Sequence, residues 1–574
     1  MRKTLHETVL RISIVLAIFS IWSSYLILHE LKQGLFFAVM YLCVGIVAAY
    51  WKPCSSERLY VVYGVYWALS VVVIPAISQF ILNESLINLG VRRIILEAIL
   101  YTLIYSGMLA ITLNMKVTLS SVSLISAILS IANYYVYEFR GTELQPSDIF
   151  AIRTASNVAG GYRIIIEPTV LYGLNFTALY LLLLVCLPTL KIRRRKLTRI
   201  CALCAIGASI WLFSYISKPV HAQYFLQTGS AVNGYMVNFA LQTISVKVQK
   251  PTGYSLERVE EIEEKYSKDI QVTATSESPD IIVIMDESYA DLGRVGEKLR
   301  TNIEVTPYID SLKENTCKGY TLSSVFGGGT PNSEYEFLTG NSMLFLPEGS
   351  FAYSQFLEEP TYSMVSELRS RGYYSIGMHP GKATGWDRDK VYPMLGFDET
   401  YFIEAFEGYD TLRNLTSDQG MFQKIEEVYE EKIEMDGKPI FLFGVTMQNH
   451  GGYNYEGSDF EPDIKLQGYS KEYPDVEQYL SLLHETDAAV EELIKYFTSV
   501  ERDVVLLFYG DHFPRIDENF YQEVHGGSFT GLDEEMLRYE VPFFIWTNYK
   551  SISEESELVS MNYLSHLVYE KAGI

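Results

Sequence analysis

The first third of the chain is dominated by long apolar runs with few charges between them. Seven runs each approach the roughly 20 residues that a helix needs to cross a bilayer. They lie at 8–31, 34–51, 58–82, 92–113, 117–137, 170–190 and 200–217. A cleaved signal peptide explains the first run poorly, because six more follow. Buried core helices rarely recur so often at this length. The pattern therefore predicts an all-α transmembrane bundle of about seven helices at 1–217.

The lysine and arginine residues of the short loops predict which side of the membrane is cytoplasmic. With seven spans, most of them fall on one side. These residues are Arg2, Lys3, Lys52, Arg58, Lys116 and the basic residues of 191–199. Arg92 and Arg93 depart from this pattern and are expected at the interface. An odd number of spans places the rest of the chain outside the cell. The polar segment 140–162 is then expected on the outer surface, either as amphipathic turns or as a plain loop.

The segment 218–277 reads as a linker between two different parts of the chain. It contains one highly charged stretch, SLERVEEIEEKYSKD, which predicts a helix with a solvated face. The small residues around His221 resemble a signal-peptidase site. Release of the following domain after Ala222 is therefore one expectation, and an intact chain is the other.

From residue 278 to 574 the pattern changes to short β-branched runs that alternate with amphipathic helical stretches. The runs predict strands at 281–285, 320–326, 373–378, 440–446, 504–508 and 541–546. Such alternation is typical of an α/β domain with a mainly parallel central sheet. Ligands of these sheets bind beyond the carboxyl ends of the strands, so the residues at those positions are the candidates for function.

Composition narrows the class of partner and excludes an internal disulfide in the α/β domain. The formal net charge is -23, which argues against nucleic acid as a partner. Five of the six cysteines lie within the apolar part of the chain. Only Cys317 lies beyond it, so the α/β domain has no pair of cysteines for an internal disulfide.

Five of the predicted strands lead to polar residues that suit one reaction centre. These residues are Glu287, Thr330, His379, His450 and the pair Asp511–His512. Glu287, Asp511 and His512 offer two carboxylates and an imidazole, which suits one divalent ion, whether Mn²⁺, Mg²⁺ or Zn²⁺. His379 and His450, outside that ligand set, are expected to bind a phosphoryl group or to protonate a leaving alkoxide.

Thr330 lies in the segment FGGGTPNSE, where three glycines precede a helical pattern. Pro331 suits the first position of a helix, which makes Thr330 the N-cap. One interpretation is that Thr330 only caps the helix. The other is that its hydroxyl is a nucleophile. A helix start favours anions, and a metal ion bound by the hydroxyl as its fourth ligand would make the alkoxide available near neutral pH.

The segment GWDRDKVY follows His379 and carries Trp386 and Arg388 on a predicted loop. Arg388 is suited to hold a phosphate through two parallel hydrogen bonds, and Trp386 to cover the apolar edge of a ligand. The alternative is an arginine that stacks on the tryptophan for packing alone.

Taken together, the chain resembles the lipoteichoic acid synthase family of the alkaline phosphatase/sulfatase superfamily. The resemblance rests on the multi-span start, on the RGTELQPSDIF segment, and on DES, GGGTPNSE, HPGKATGWDRDKVY, MQNHGGY and YGDH in this order. It implies that Glu287, Thr330, Asp511 and His512 are manganese ligands and that Thr330 is the nucleophile that carries phosphoglycerol. It implies substrate contacts by four further residues, His450, Arg388, Trp386 and His379.

The resemblance also implies a reaction and a place in the cell. Members of the family cleave phosphatidylglycerol, leave diacylglycerol in the membrane, and pass glycerol phosphate to a glycolipid or a growing polymer. They are multi-pass proteins of the cell membrane in Gram-positive bacteria, with an extracellular catalytic domain. One position departs from the family. Some members have an aspartate two residues after the position of His379, in contact with the glycerol hydroxyls, whereas this chain has Gly381.

Other functions remain open beside phosphoglycerol transfer. A phosphoethanolamine transferase, or a phosphodiesterase or sulfatase-like hydrolase acting on another envelope substrate, would use the same residues. True sulfatases need Cys/Ser-x-Pro-x-Arg around the nucleophile, and the segment around Thr330 lacks it. Phosphoethanolamine transferases are usually rich in disulfides. A sensor that binds without reacting would be expected to have lost a metal ligand, and here the full set is present.

Overall fold

The structure is a computed structural model of the 574-residue chain. It describes residues 2–29, 31–50, 56–82, 89–140, 142–146, 148–149, 166–190, 192, 194–216, 229–244, 248, 250–266, 278–297, 299–347, 349–552 and 558–574. The predicted cleavage position after Ala222, most of the predicted surface segment 140–162 and much of the predicted linker lie outside these residues.

The apolar runs form seven helices, each long and apolar enough to cross a membrane. They are α1 (Arg2–Leu28), α2 (Leu31–Tyr50), α3 (Ser56–Ile81), α4 (Gly90–Thr112), α5 (Met115–Arg140), α6 (Pro168–Cys186) and α7 (Arg195–Ile216). Helices α3 to α6 pack around a buried core that includes Tyr63, Tyr101 and Tyr105. Many large apolar side chains point outward, as expected of helices that face lipid. The predicted helical bundle is confirmed.

Part of the predicted linker is attached to this bundle. Its described residues form α8 (Ser230–Asn233), α9 (Tyr235–Ile244) and the charged helix α10 (Leu256–Tyr266). The buried carboxylate of Glu97 accepts a hydrogen bond from the Val237 backbone N–H at 2.9 Å, and so satisfies a free donor at the start of α9. Gln79 Nε2 donates to the Ser230 carbonyl at 2.9 Å. Residues 230–244 therefore pack against the membrane helices.

The second part of the chain is built on a sheet of eight strands, beside which lies a small two-stranded hairpin. The strands are β1 (Asp280–Asp286), β2 (Thr316–Leu322), β3 (Tyr374–Met378), β4 (Glu399–Tyr401), β5 (Thr411–Leu412), β6 (Leu415–Thr416), β7 (Ile440–Val445), β8 (Val504–Gly510), β9 (Glu540–Thr547) and β10 (Val559–Ser560). The sheet order is β10-β2-β9-β8-β1-β7-β3-β4, and only β9 runs antiparallel to its neighbours. The mainly parallel sheet is as predicted.

Helices cover both faces of this sheet, which explains why its central strands read as continuous apolar runs. The helices are α11 (Pro307–Ser311), α12 (Thr330–Thr339), α13 (Ala352–Gln355), α14 (Met364–Ser370), α15 (Arg388–Leu395), α16 (Asp418–Asp436), α17 (Pro474–Ser499), α18 (Glu518–His525), α19 (Leu532–Met536) and α20 (Leu564–Ala572). Helices α16 and α17 pack together on one side, while α12 packs against α14 and α20 on the other. Every residue of β1, β7 and β8 is buried.

The predicted second strand is wrong by four residues. The strand is Thr316–Leu322 and not 320–326, because its ladder with β9 starts at the pair Thr316–Trp546 and ends at the pair Leu322–Glu540. Beyond it the chain leaves the sheet and turns back toward β8, where the Gly327 N–H donates to the Phe513 carbonyl. The other five predicted strands agree with the structure to within two residues.

Candidate active site

The site lies at the carboxyl ends of two neighbouring strands. In the ladder of β1 with β8, Asp286 pairs with Gly510, so Glu287 and Asp511 leave the sheet side by side. Position 510 has no room for a side chain, because a Cβ there would lie 1.8 Å from the Tyr289 carbonyl oxygen. The close approach of these two strand ends brings the carboxylates together.

The glycine segment delivers Thr330 to the same place, though not as the cap of its helix. Gly327, Gly328 and Gly329 all have positive φ, which favours glycine. Gly329 takes the N-cap position, and Thr330 is the first residue of α12. The predicted N-cap role of Thr330 is therefore wrong, because the turn through the glycines ends one residue earlier. Its hydroxyl makes no capping bond and instead donates to Glu287 Oε2 at 3.2 Å.

Three side chains could hold a metal ion beside this hydroxyl. Glu287, Asp511 and His512 are all buried, and one ligand atom of each lies within 4.8 Å of the others. His512 Nε2 is 3.2 Å from Asp511 Oδ2 and 3.6 Å from Glu287 Oε1. The structure thus brings together the three residues that the sequence analysis singled out as metal ligands, with Thr330 next to them.

Two atoms of this cluster lack a hydrogen-bond partner among the described residues, and their chemistry fits a cation. Asp511 Oδ1 accepts from the backbone N–H groups of Ser288 (2.7 Å) and His512 (2.8 Å), which leaves Oδ2 without a donor. His512 Nδ1 faces the Phe513 carbonyl at 2.9 Å, so the ring proton belongs on Nδ1 and the lone pair on the unpartnered Nε2. Buried acceptors that face each other in this way need a positive group between them.

The charges of the cluster favour the same conclusion. Burial, and then the negative charge of Glu287, raise the pKa of Asp511 to about 7, while the Ser288 N–H and the Thr330 hydroxyl act in the opposite direction. Two buried carboxylates this close repel each other unless one holds a proton or a cation lies between them. A divalent ion would relieve the repulsion and keep both carboxylates ionised, so the donor set fits an acidic metal site.

Surrounding groups fix the orientation of these ligands. Ser288 has φ 55, a left-handed conformation that is uncommon for serine and turns its N–H toward Asp511. Ser323 and Ser333 both donate to the Asp511 carbonyl, at 2.6 and 2.8 Å. These contacts tie Asp511 to the segments before and after the three glycines.

His379 lies beside the site as a buried, neutral imidazole. Burial, and then the positive charge of Arg388, hold the pKa of His379 well below its usual value. Its Nδ1 is 3.2 Å from the Val445 carbonyl, which leaves Nε2 as an acceptor. A Cβ at Gly381 would lie 2.5 Å from this Nε2. A side chain at position 381 would therefore displace the His379 ring.

His450 is half-buried on the segment after β7, and burial lowers its pKa against the opposing charge of Glu287. The residue that holds this segment, Arg413, was not predicted from the sequence. Arg413 donates to the carbonyls of Gln448 (2.9 Å), His450 (2.6 Å) and Gly452 (3.2 Å). It lies in the two-residue turn between β5 and β6, where it has positive φ. Strands of two residues are too short to give a periodic signal.

Arg388 and Trp386 do not lie on an open loop, and that expectation is wrong. Trp386 belongs to a 3₁₀ turn and packs on Phe351 with 4.6 Å between ring centroids. Arg388 is the first residue of α15 and is only 2% exposed. Its guanidinium pairs with the carboxylate of Glu334, which is itself fully buried. The ion pair with Glu334 therefore holds the start of α15 against α12.

Glu334 belongs to the motif GGGTPNSE but had no predicted role. It lies four residues after Thr330, one turn along α12. Besides Arg388, it accepts hydrogen bonds from the hydroxyls of Tyr353 (3.2 Å) and Tyr392 (2.9 Å). Glu334 therefore couples the helix that carries Thr330 to the arginine that was predicted to hold a phosphate. A carboxylate on an otherwise apolar helix face is the sequence signal that could have found it.

We expect Glu334→Gln to lower the free energy of unfolding by about 3 kcal/mol, because it leaves a buried guanidinium without its counter-charge. The midpoint of thermal unfolding of the purified full chain should fall by several degrees. Glu491→Gln is the matched control, since it removes an exposed ion pair with Lys495 and should leave the midpoint unchanged. Equal midpoints for wild type and Glu334→Gln would show that the buried pair contributes nothing to stability.

Comparison with known proteins identifies the family. A family model described as Sulfatase matches residues 279–574, just over half of the chain. The chain belongs to the sulfatase family. The predicted resemblance to the alkaline phosphatase/sulfatase superfamily is thereby confirmed. Residues 279–574 are called the sulfatase domain.

Individual relatives support the same resemblance. The chain is 28% identical over 352 residues to a Rhizobium meliloti protein whose name refers to cyclic beta-1,2-glucan modification, covering 59% of this chain and 53% of that protein. It is 29% identical over 223 residues to lipoteichoic acid synthase of Staphylococcus saprophyticus, covering 38% of this chain and 33% of the synthase. The chain thus spans about half or less of the length of these relatives.

One solved structure extends over nearly the whole chain. It is the integral membrane lipooligosaccharide phosphoethanolamine transferase A from Neisseria meningitidis, 14% identical, with a TM-score of 0.48. It covers 97% of this chain and 95% of its own.

Proposed function

We propose that this protein transfers glycerol phosphate from phosphatidylglycerol to a cell-envelope polymer of the lipoteichoic acid type. The observation that carries the proposal is the position of the Thr330 hydroxyl, 3.2 Å from Glu287 at the edge of the buried Glu287–Asp511–His512 cluster. A hydroxyl held against acidic metal ligands at the start of a helix is placed to attack a phosphorus centre. The sulfatase family and the seven apolar helices support an enzyme anchored in a membrane.

The proposed reaction is a double displacement through Thr330. In the first step Thr330 Oγ1 gives up its proton and forms a bond to phosphorus, while the bond from phosphorus to the diacylglycerol oxygen breaks and that oxygen takes a proton. In the second step a hydroxyl of the acceptor gives up its proton and attacks the same phosphorus, the bond from phosphorus to Thr330 Oγ1 breaks, and Thr330 Oγ1 takes a proton. Glu287, Asp511, His512 and Thr330 would hold one divalent ion, most simply Mn²⁺, which supplies an acidified hydroxyl and a counter-charge for the phosphate.

The neighbouring residues have distinct parts in this proposal. The hydroxyl proton of Thr330 already points at a carboxylate oxygen of Glu287. In this proposal His450 binds the phosphoryl group or protonates the leaving oxygen, and Arg388, which pairs with Glu334, binds the phosphate. Neutral His379 offers Nε2 as an acceptor for a hydroxyl of the head group. In this proposal Trp386, which packs on Phe351, covers the apolar edge of the ligand.

The proposal includes the arrangement in the membrane. Residues 1–217 form the anchor, 218–277 the connection, and 278–574 an extracellular catalytic domain of a Gram-positive bacterium. The acceptor is a glycolipid or an envelope polymer; one relative is named for cyclic beta-1,2-glucan modification and another as a lipoteichoic acid synthase.

Head-group discrimination tests the proposed donor. The full chain with Mn²⁺ is placed in vesicles that contain either phosphatidylglycerol or phosphatidylethanolamine, and the release of diacylglycerol is measured. We expect release from phosphatidylglycerol. Release from phosphatidylethanolamine alone would replace the proposed function by phosphoethanolamine transfer.

A further inference from the structure

Two large apolar side chains stand exposed on one turn of the sulfatase domain. Leu344 is 56% exposed and Phe345 76%, both within the 3₁₀ turn Met343–Phe345. Among the described residues after position 278, they are the only strongly exposed large apolar residues that are adjacent in sequence. The others are Ile303, Tyr362, Ile403, Leu532, Leu558 and Tyr563. Single exposed apolar residues are common, whereas an adjacent pair on one tip indicates a partner.

This turn is attached at both ends to the helix that begins with Thr330. Before the exposed pair, the Met343 N–H donates to Glu336 Oε1 at 2.8 Å. After it, Asn332 Nδ2 donates to the Ser350 carbonyl at 2.9 Å. Glu336 and Asn332 both belong to α12. Residues on both sides of the exposed pair are therefore attached to the helix that begins with Thr330.

The same segment rests on the membrane part of the chain. A Cβ at Gly349 would lie 1.3 Å from Gln145 Oε1, so the Gln145 side chain lies directly on this glycine. Gln145 is buried and follows the end of α5, at Arg140, by five residues. Near the same helix end, the Arg515 guanidinium lies 4.9 Å from the centre of the Tyr137 ring. This side of the sulfatase domain therefore faces the end of the membrane-spanning bundle.

The exposed pair lies a few residues before the glycine that contacts the chain just after α5. Phe345 precedes Gly349 by four residues, so their Cα atoms are at most about 14 Å apart. The spanning part of α5 ends at Phe139. Leucine and phenylalanine next to the polar head groups are favoured where part of the side chain reaches the acyl chains. A lipid surface is thus the partner that fits both the apolar tip and its position.

We propose that the turn Met343–Phe345 enters the lipid bilayer beside the helical bundle and holds the mouth of the active site at the membrane surface. A two-chain lipid then presents its head group to Thr330 while its acyl chains stay in the bilayer. This inference takes from the proposed function only that the donor is a lipid. The contact with the bilayer itself requires no particular head group.

Site-specific photocrosslinking tests the contact directly. Benzoylphenylalanine is incorporated at position 345 of the full chain, the protein is reconstituted in phosphatidylglycerol vesicles, and lipid adducts are identified by mass after illumination. Position 501 is the control, because Glu501 is exposed just before β8, at the opposite end of that strand from Asp511. We expect lipid adducts at 345 and none at 501. No adduct at 345, or equal adducts at both positions, would overturn the proposal.

A double variant tests what the contact does. Leu344→Ser combined with Phe345→Ser should lower turnover of phosphatidylglycerol in vesicles roughly tenfold, because the buried apolar area that holds this turn at the surface is lost. Turnover of a water-soluble diester of glycerol phosphate with a chromogenic phenol should stay unchanged. Tyr362→Ser, which removes an isolated exposed side chain, should change neither activity.

The outcomes separate this inference from the proposed function. Equal losses on both substrates would indicate damage to the site, and no loss on vesicles would show that the tip is not needed; each result contradicts the inference. If wild-type protein released no diacylglycerol from phosphatidylglycerol, the proposed donor would fail, while the crosslinks at position 345 would still decide the contact.

Discussion

Thr330→Ala is expected to reduce the release of diacylglycerol from phosphatidylglycerol by roughly 10³-fold or more, because it removes the hydroxyl that donates to the Glu287 carboxylate beside the proposed metal ligands. Thr330 makes no capping bond, so the helix keeps its start and the fold should remain intact. The measurement is the rate of diacylglycerol release from vesicles, together with the midpoint of thermal unfolding.

Two controls make the loss interpretable. Thr330→Ser keeps a hydroxyl at the same position and should retain measurable turnover. Thr339→Ala removes a hydroxyl from the end of the same helix, where it bonds only to the Tyr335 carbonyl and the backbone N–H of Asn341, and should be as active as wild type. Undiminished turnover by Thr330→Ala would exclude Thr330 as the nucleophile. A large loss in Thr339→Ala would show that α12 tolerates no substitution.

The second large effect is expected from Glu287→Ala. This variant removes one of two buried carboxylates from the proposed metal site, so the protein should lose its divalent ion. Its activity should fall by more than about 100-fold, because mutation of the groups that merely hydrogen-bond to metal ligands already lowers metal affinity or activity by about 10- to 100-fold. Elemental analysis of protein purified without chelator should give about one divalent ion per wild-type chain and almost none in the variant.

Glu540→Ala is the matched control for metal loss. Glu540 is also buried and charged, but it pairs with Arg294 at the start of β9. This variant should keep the ion even if it is less stable. Retention of a full complement of metal by Glu287→Ala would mean that the ion is held elsewhere. Loss of metal from both variants would indicate general unfolding.

The sequence predicts an element correctly where a pattern within a short stretch of residues determines that element. Strands β1 and β8 are continuous apolar runs, and a polar residue after such a run must lie at the sheet edge. That is why Glu287, Asp511 and His512 could be placed together before the structure was known. The short strands β4 and β10, of three and two residues, carry no periodic signal and were not predicted.

The errors arose where contacts far apart in sequence decide the structure. The buried pair of Glu334 with Arg388 joins residues 54 positions apart, so no local pattern showed that Arg388 would leave the solvent. The position of Thr330 differed by one residue because three glycines permit several turns, and contact of Gly327 with Phe513 selects one. The role of Arg413 depends on the path of the segment that carries His450.

We expect Thr330, beside the Glu287–Asp511–His512 cluster, to become covalently bound to the phosphoryl group of the donor during turnover. The most direct test is mass spectrometry of the peptide that contains Thr330, after the full chain has been incubated with phosphatidylglycerol and quenched in acid. We expect Thr330 to carry a phosphoglycerol group, and we expect that group to be absent when phosphatidylglycerol is omitted. Turnover without any adduct on Thr330, or an adduct on another residue, would contradict this expectation.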